Sequence, residues 1–331
     1  MTATLAIIGA GAFGTALACV VARRGADVTL LGRDAQKMAA IAETRRHPSL
    51  PDDAEIPQNV EPTADPARLA GARLILLAVP SQSLRAALRT YTPQVASNAD
   101  LVVCAKGLEA GTGLLLSDVT KEETTGHAIA VLSGPAFARD IVHRLPTALT
   151  LACDDAQRAE SIAQSLSGEM FRLYSSTDLA GVQIGGALKN VLAIACGIVE
   201  GRGLGDSARA ALIARGLAEL GRFAAAHGGK PETVAGLSGL GDLVLTATSH
   251  QSRNMRFGLA LGRGEDPAML LAPGKPLAEG AYTADIAAGI AARKTIVMPI
   301  TAAVAAILRS ELDVGRAIEA LMTRPLTSET E

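Results

Sequence analysis

The chain has 331 residues, 49% of them hydrophobic and 19% charged, with a net charge of −2. That is long enough for two domains with sizeable cores and too apolar for a disordered chain. With five Phe, three Tyr and no Trp, it offers no aromatic platform for stacking bases, and its dispersed charge leaves no electrostatic footprint for nucleic acid.

In chain order, residues 4–8 form a short apolar run leading into Gly9-Ala10-Gly11-Ala12-Phe13-Gly14. An apolar helix is predicted from about Phe13 to Arg24. In this G-x-G-x-x-G pattern Gly9 permits a tight turn and Gly11 lets the backbone approach a pyrophosphate. Gly14 allows close helix–strand packing, and the helix N-terminus faces the phosphate charge. A second strand, Asp27 to Leu31, completes the context for dinucleotide binding. Its tip reads Leu31-Gly32-Arg33-Asp34. An acidic residue first at that tip would bond the ribose 2′-OH of NAD; Arg33 suits a 2′-phosphate instead. NADP is therefore the expected cofactor with NAD tolerated, the alternative being that Arg33 is a solvated charge. No charged leader precedes the first apolar run, so no signal peptide is expected.

Ala35 to Arg46 reads as helix, and His47 to Pro66, rich in Pro, Asp and Glu, as a long surface loop. Arg73 to Val79 reads as a buried strand stopped by Pro80, with a helix restarting near Ser81. Strands follow at Leu101–Ala105, Ala128–Leu132, Thr147–Ala152 and Met170–Tyr174. Alternating with helices, they predict an α/β domain over residues 1–178, Rossmann-like, with a doubly wound and mostly parallel sheet. Ligands bind beyond the carboxyl ends of such strands. The glycine turn, Val79-Pro80, Lys106 and the Gly134-Pro135 turn all fall there.

Leu179 to Val199 reads LAGVQIGGALKNVLAIACGIV, with Lys189 as its one formal charge. The run is long enough to span a bilayer, but Gln183, Lys189 and Asn190 interrupt it and no Lys/Arg asymmetry flanks it. Two readings remain. It is a core helix whose lysine snorkels to water, or a core helix presenting that lysine to an active site. In the second case burial lowers the lysine pKa toward neutrality, so the amine exchanges a proton.

Beyond this run no strand is predicted, so residues 179–331 read as an all-α substrate or catalytic domain. Asp206 and Ser207 are the expected cap of a helix reaching about His227. Further helices fit Met255–Gly262, Tyr282–Arg293, Pro299–Arg309 and Val314–Met322. One region is dense in glycine and polar residues: Leu237 to Asp242, then Thr246, Thr248, Ser249 and Ser252-Arg253-Asn254. Asp242 lies between apolar residues and needs a partner, which a cationic lysine would supply. Ser252, Arg253 and Asn254 line up a hydroxyl, a guanidinium and an amide, a set suited to phosphate. The alternative is a helix N-cap with an exposed arginine. Cys19, Cys104, Cys153 and Cys196 sit in apolar runs without a CxxC pair and read as reduced core residues of a cytoplasmic protein. The five histidines form no ligand motif, so no metal is expected.

The chain resembles the NAD(P)-dependent glycerol-3-phosphate dehydrogenases of bacterial type. The resemblance rests on GAGAFGTALA (Gly9 to Ala18), AKGLE (Ala105 to Glu109) and LSGPAFA (Leu132 to Ala138). It extends through ALKNVLAI (Ala187 to Ile194), GLGDL (Gly239 to Leu243), SRN (Ser252 to Asn254) and AEGAYTA (Ala278 to Ala284). It implies interconversion of sn-glycerol 3-phosphate and dihydroxyacetone phosphate, with the former supplied to phospholipid synthesis. It implies Lys189 as the proton acceptor of the oxidation. Lys106, Gly134, Asp242, Ser252, Arg253 and Asn254 would line the substrate, with Ala136 contributing its backbone. Ala12, Phe13, Arg33, Lys106, Ala138, Arg253, Leu277 and Glu279 would touch the dinucleotide. Ala12, Phe13 and Ala136 stand where the family often has Ser, Trp or Tyr, and Ser or Thr. Members are commonly dimeric. Two other functions fit parts of the chain: a related NADP-dependent β-hydroxyacid-type dehydrogenase, and an NADPH-sensing regulator without turnover.

Overall fold

Runs such as Leu5–Ile8 and Leu74–Leu77 are apolar at every position, and a strand apolar on both faces must be covered on both. The computed structural model describes residues 5–275, 278–325 and 328 and places these runs inside an eight-stranded sheet. The elements are β1 (Leu5–Ile8), α1 (Ala12–Ala22), β2 (Val28–Leu31), α2 (Ala35–Thr44) and β3 (Val60–Thr63). Then come β4 (Leu74–Leu77), α3 (Leu84–Tyr91), β5 (Asp100–Val103), α4 (Leu116–Glu123) and β6 (Ile129–Ser133). The sheet ends with α5 (Ala138–Val142), β7 (Thr147–Cys153), α6 (Ala156–Leu166) and β8 (Phe171–Ser176). Strand order is β3-β2-β1-β4-β5-β6-β7-β8. Every neighbouring pair is parallel except β6–β7. A parallel return needs a covering crossover helix; α5 is too short for that, and the chain doubles back. Winding outward from β1 to β3, then past β1 to β4, puts the switch point between β1 and β4, beside the glycine turn.

The expected surface loop from His47 to Pro66 is not a surface excursion. His47, Leu50, Ala54 and Ile56 are buried, and the segment ends in β3, a strand the sequence reading missed. β3 is an edge strand carrying Pro62, so it lacks the continuous apolar pattern. The Asn59 and Thr63 carbonyls accept bonds from Val28 and Gly32, so they face β2. By the two-residue alternation Pro62 faces the open edge, where its missing N–H breaks no ladder bond.

The second part is helical: α7 (Leu179–Gly201), α8 (Gly205–Ala225), α9 (Pro231–Val234), α10 (Asp242–Ala247), α11 (Arg253–Gly262), α12 (Pro267–Leu270), α13 (Glu279–Lys294), α14 (Pro299–Leu308) and α15 (Val314–Met322). Among the described residues it contains no strand. The start of α8 differs from the sequence reading. It follows Leu204, which supplies no side-chain cap; Asp206 lies inside the first turn and pairs with Arg209 at 2.6 Å.

Helix α7 is the axis around which the others pack. It is the one described helix long and apolar enough to cross a membrane, and it is wholly buried inside the protein. The Asp178 carboxylate accepts from the Gly181 and Lys230 amides, both at 2.8 Å, fixing its entry. Gln183 donates to Ser117 Oγ at 2.8 Å and accepts from the Ser117 amide at 2.9 Å, tying α7 to α4. At the far end α11 crosses so closely that a methyl group on Gly197 would fall 2.2 Å from the Met255 carbonyl oxygen and 2.7 Å from the Leu259 nitrogen. Both neighbours are backbone, so the helices would have to separate. G197A is expected to cost about 1–3 kcal/mol, read as a lower urea midpoint with an unchanged m-value.

Candidate active site

An ammonium group in an apolar helix must find a counter-charge or lose its proton. Lys189, in the middle of α7, is 7% exposed. Its Nζ donates to Asp242 Oδ1 at 2.7 Å and to Thr246 Oγ1 at 2.6 Å. Asp242, 1% exposed, opens α10, and Thr246 sits one turn later on the same face. The Thr246 hydroxyl in turn faces Asp242 Oδ1 at 3.4 Å. The lysine does not snorkel; it is held inside.

The second carboxylate oxygen serves another lysine. Lys106, just beyond β5, donates to Asp242 Oδ2 at 2.6 Å and to the Gly134 carbonyl, just beyond β6, at 3.0 Å. One carboxylate thus bridges a cation from the sheet and a cation from the helical part. Burial pulls the Lys189 pKa down to about 8; Asp242 opposes that shift and Lys106 adds to it.

The polar triplet at α11 divides its labour. Ser252 Oγ caps the helix by accepting from the Met255 amide at 3.1 Å. The Asn254 side chain donates to Asn190 Oδ1 at 2.9 Å and accepts from the Gly280 amide at 3.0 Å, joining α7, α11 and α13. Arg253 is exposed at the first position of α11. Ser252 thus caps α11, and the Arg253 guanidinium remains open to an anion. The carboxylate of Glu279, first residue of α13, has no hydrogen-bond or ion-pair partner among the described residues, although its backbone carbonyl accepts from Thr283 Oγ1 at 3.0 Å. Burial raises its carboxyl pKa, while Arg253, Lys106 and Lys189 lower it, so it lies within reach of all three cations. Thr246 and Asn190 were visible in the sequence without a role. The spacing of Thr246, four residues after Asp242, was the available signal.

The glycine turn stands at the sheet's switch point. Gly9 has φ of +118°, and a methyl group on it would meet the Ala78 carbonyl oxygen at 2.5 Å. A methyl group on Gly14 would fall 2.1 Å from the Gly9 oxygen. Nothing crowds the Cβ direction of Gly11, which precedes α1 without a side-chain cap. Open amides at a helix start form a cradle for an anion, so the turn fits a dinucleotide pyrophosphate. Ala12 and Phe13 open α1, and Ala136 and Ala138 lie near the start of α5; all four pack partly buried against one core. Arg33 is exposed at the tip of β2, while Asp34 caps α2 by accepting from the Lys37 amide at 3.0 Å. Leu277 lies outside the described residues. The four cysteines are free and buried.

Replacing Asp242 by Asn keeps the shape and removes the charge. In D242N the Lys189 pKa is expected to fall below about 8, measured on the 15N-labelled lysine side chain or by the pH dependence of its acylation.

Two family models cover the chain almost completely: the NAD-dependent glycerol-3-phosphate dehydrogenase N-terminus matches residues 4–159 and the C-terminus residues 178–319. The glycerol-3-phosphate dehydrogenase [NAD(P)+] of Rhizobium etli is 55% identical, with 99% of this chain and 100% of that protein covered. The Agrobacterium fabrum protein of the same name is 56% identical over 98% of each. The crystal structure of glycerol-3-phosphate dehydrogenase from Coxiella burnetii superposes with a TM-score of 0.92 at 39% identity, covering 97% of this chain and 99% of that one.

Proposed function

The chain belongs to the NAD-dependent glycerol-3-phosphate dehydrogenase family, and on that premise we propose which of its residues carry the reaction. It is an NAD(P)-dependent oxidoreductase interconverting sn-glycerol 3-phosphate and dihydroxyacetone phosphate. Neither the β-hydroxyacid reading nor the non-catalytic regulator accounts for a family match along both halves.

The bound nicotinamide supplies or accepts the hydride. The protein must move the matching proton. In the reductive direction the Lys189 ammonium gives a proton to the substrate oxygen as the carbonyl carbon gains hydride. In the oxidation the free amine takes that proton back. The observation carrying this assignment is the buried Lys189–Asp242–Lys106 bridge. Asp242 and Thr246 hold the Nζ in place, and burial with the second lysine brings its pKa near working pH. The Lys106 ammonium also stabilises negative charge on the reacting oxygen.

The substrate phosphate goes to the Arg253 guanidinium at the start of α11, whose open amides add to the attraction. Ser252 and Asn254 border the substrate beside it while holding that helix start in place. The Gly134 and Ala136 backbone borders the substrate. Gly9 to Gly14 would hold the pyrophosphate, and Ala12, Phe13, Ala138 and Glu279 would border the dinucleotide. The exposed Arg33 at the tip of β2 would meet the adenosine ribose and favour NADP over NAD. We place the boundary between the two parts at residues 178/179. The physiological reading is reduction in the cytoplasm, by a homodimer, to supply glycerol 3-phosphate for phospholipid synthesis.

K189M is expected to lower kcat for dihydroxyacetone phosphate by about 10³-fold, with NADPH still bound. Because reduction needs the ammonium form, its rate should fall as pH rises through about 8, and oxidation should rise over the same range. A reductive rate flat across that range would remove Lys189 from the acid's role. R33A should raise KM for NADPH about 10-fold and leave KM for NADH within about twofold; equal effects on both cofactors would make Arg33 a solvated charge.

A further inference from the structure

The segment between α2 and β3 is held as a built unit. Arg45 ends α2 with φ of +54°. Its guanidinium donates to the carbonyls of Ile56 at 3.2 Å, Val60 at 3.0 Å and Pro57. The Ile56 amide donates back to the Arg45 carbonyl at 2.9 Å. Leu50, Ala54 and Ile56 join the core formed with Leu5, Ile7, Leu30 and Ile41.

The first corner of this unit is His47, 3% exposed, and it touches the glycine turn. The Ser49 amide donates to its Nδ1 at 3.1 Å, so Nδ1 carries the lone pair and the proton resides on Nε2. That Nε2–H donates to the Ala10 carbonyl at 3.1 Å. Lys37 Nζ reaches the same oxygen at 3.3 Å, but its side chain is only partly buried. In a planar trans peptide the C=O and the following N–H point in opposite directions. Fixing the Ala10 oxygen on His47 therefore aims the Gly11 amide to the side opposite that ring. The first helical bond of α1 runs from the Thr15 amide to the Gly11 oxygen at 2.9 Å. The amides of Gly11 to Gly14 thus have no acceptor within the helix.

We propose that His47 is a positioning residue for the dinucleotide: through its Nε2–H bond to the Ala10 carbonyl it orients the Gly11 amide toward the pyrophosphate and so sets cofactor affinity. This rests on the reading of Gly9 to Gly14 as the dinucleotide site. His47 acts on the backbone, so it should change cofactor binding and leave the proton-transfer site alone.

The test uses the full chain and NADPH in calorimetric titrations, with H47M and H47Q as a pair of similar length. Gln can present an N–H near the position of Nε2; Met cannot. H47M is expected to weaken NADPH binding about 3- to 10-fold, with kcat at saturating NADPH and KM for dihydroxyacetone phosphate within about twofold of wild type. H47Q should recover most of the loss. A folded H47M with unchanged NADPH Kd, or an H47Q no better than H47M, overturns the proposal. Binding linkage is reciprocal, so the wild type supplies a reading independent of any variant's folding. NADPH should slow amide exchange in residues 45–58 as well as in 10–14, and protection of 10–14 alone overturns the proposal. Wild-type protein without NADPH binding would overturn the reading of the turn itself, and this inference with it.

Discussion

The structure depends on neutralising one buried ammonium. Lys189 sits in a helix whose other side chains are almost all apolar, and its charge is tolerable there only because Asp242 reaches it. Asp242 is equally buried and is shared with Lys106. Each lysine lies on a separately built element, so the carboxylate dictates how the sheet's carboxyl edge and the helical part must meet. An unpaired charge at this depth would be strongly destabilising. The same arrangement leaves one positive charge in excess, and with burial that excess lowers the Lys189 pKa.

Around this bridge the remaining polar groups of α7 are matched one by one. Gln183 meets Ser117, and Asn190 meets Asn254. These pairings lock α7 to α4 and α11 at defined registers, which apolar contacts alone would specify less sharply. The close crossing at Gly197 does the same through backbone contact. Such fixed registers limit how far Lys189 Nζ can wander, and restricted freedom of that kind is what positioning contributes to a reactive site.

Much of this was legible in the sequence where one residue type had one physical use. Gly9 and Gly14 marked a turn with no room for side chains. Lys189 stood out because nothing near it was charged, and Asp242 because its neighbours were apolar. What escaped were features that depend on partners distant in the chain. β3 carries one buried apolar residue and a proline, so no pattern announced it. The bonds of Ser252 to the Met255 amide and of Asn254 to Asn190 and Gly280 were not legible from residue type, because their partners lie on the packed helices. His47 lay in a stretch whose Pro, Asp and Glu content signals solvent, yet its ring is buried beneath the glycine turn.

Pro62 has one more consequence. An open sheet edge is a template on which a foreign strand can assemble, and chains exposing one tend to aggregate. The edge at β3 carries no donor where Pro62 faces outward, so an incoming strand would lose a bond midway along a stretch of only four residues. The residue that hid this strand from pattern reading therefore also protects the protein from building fibrils along that side.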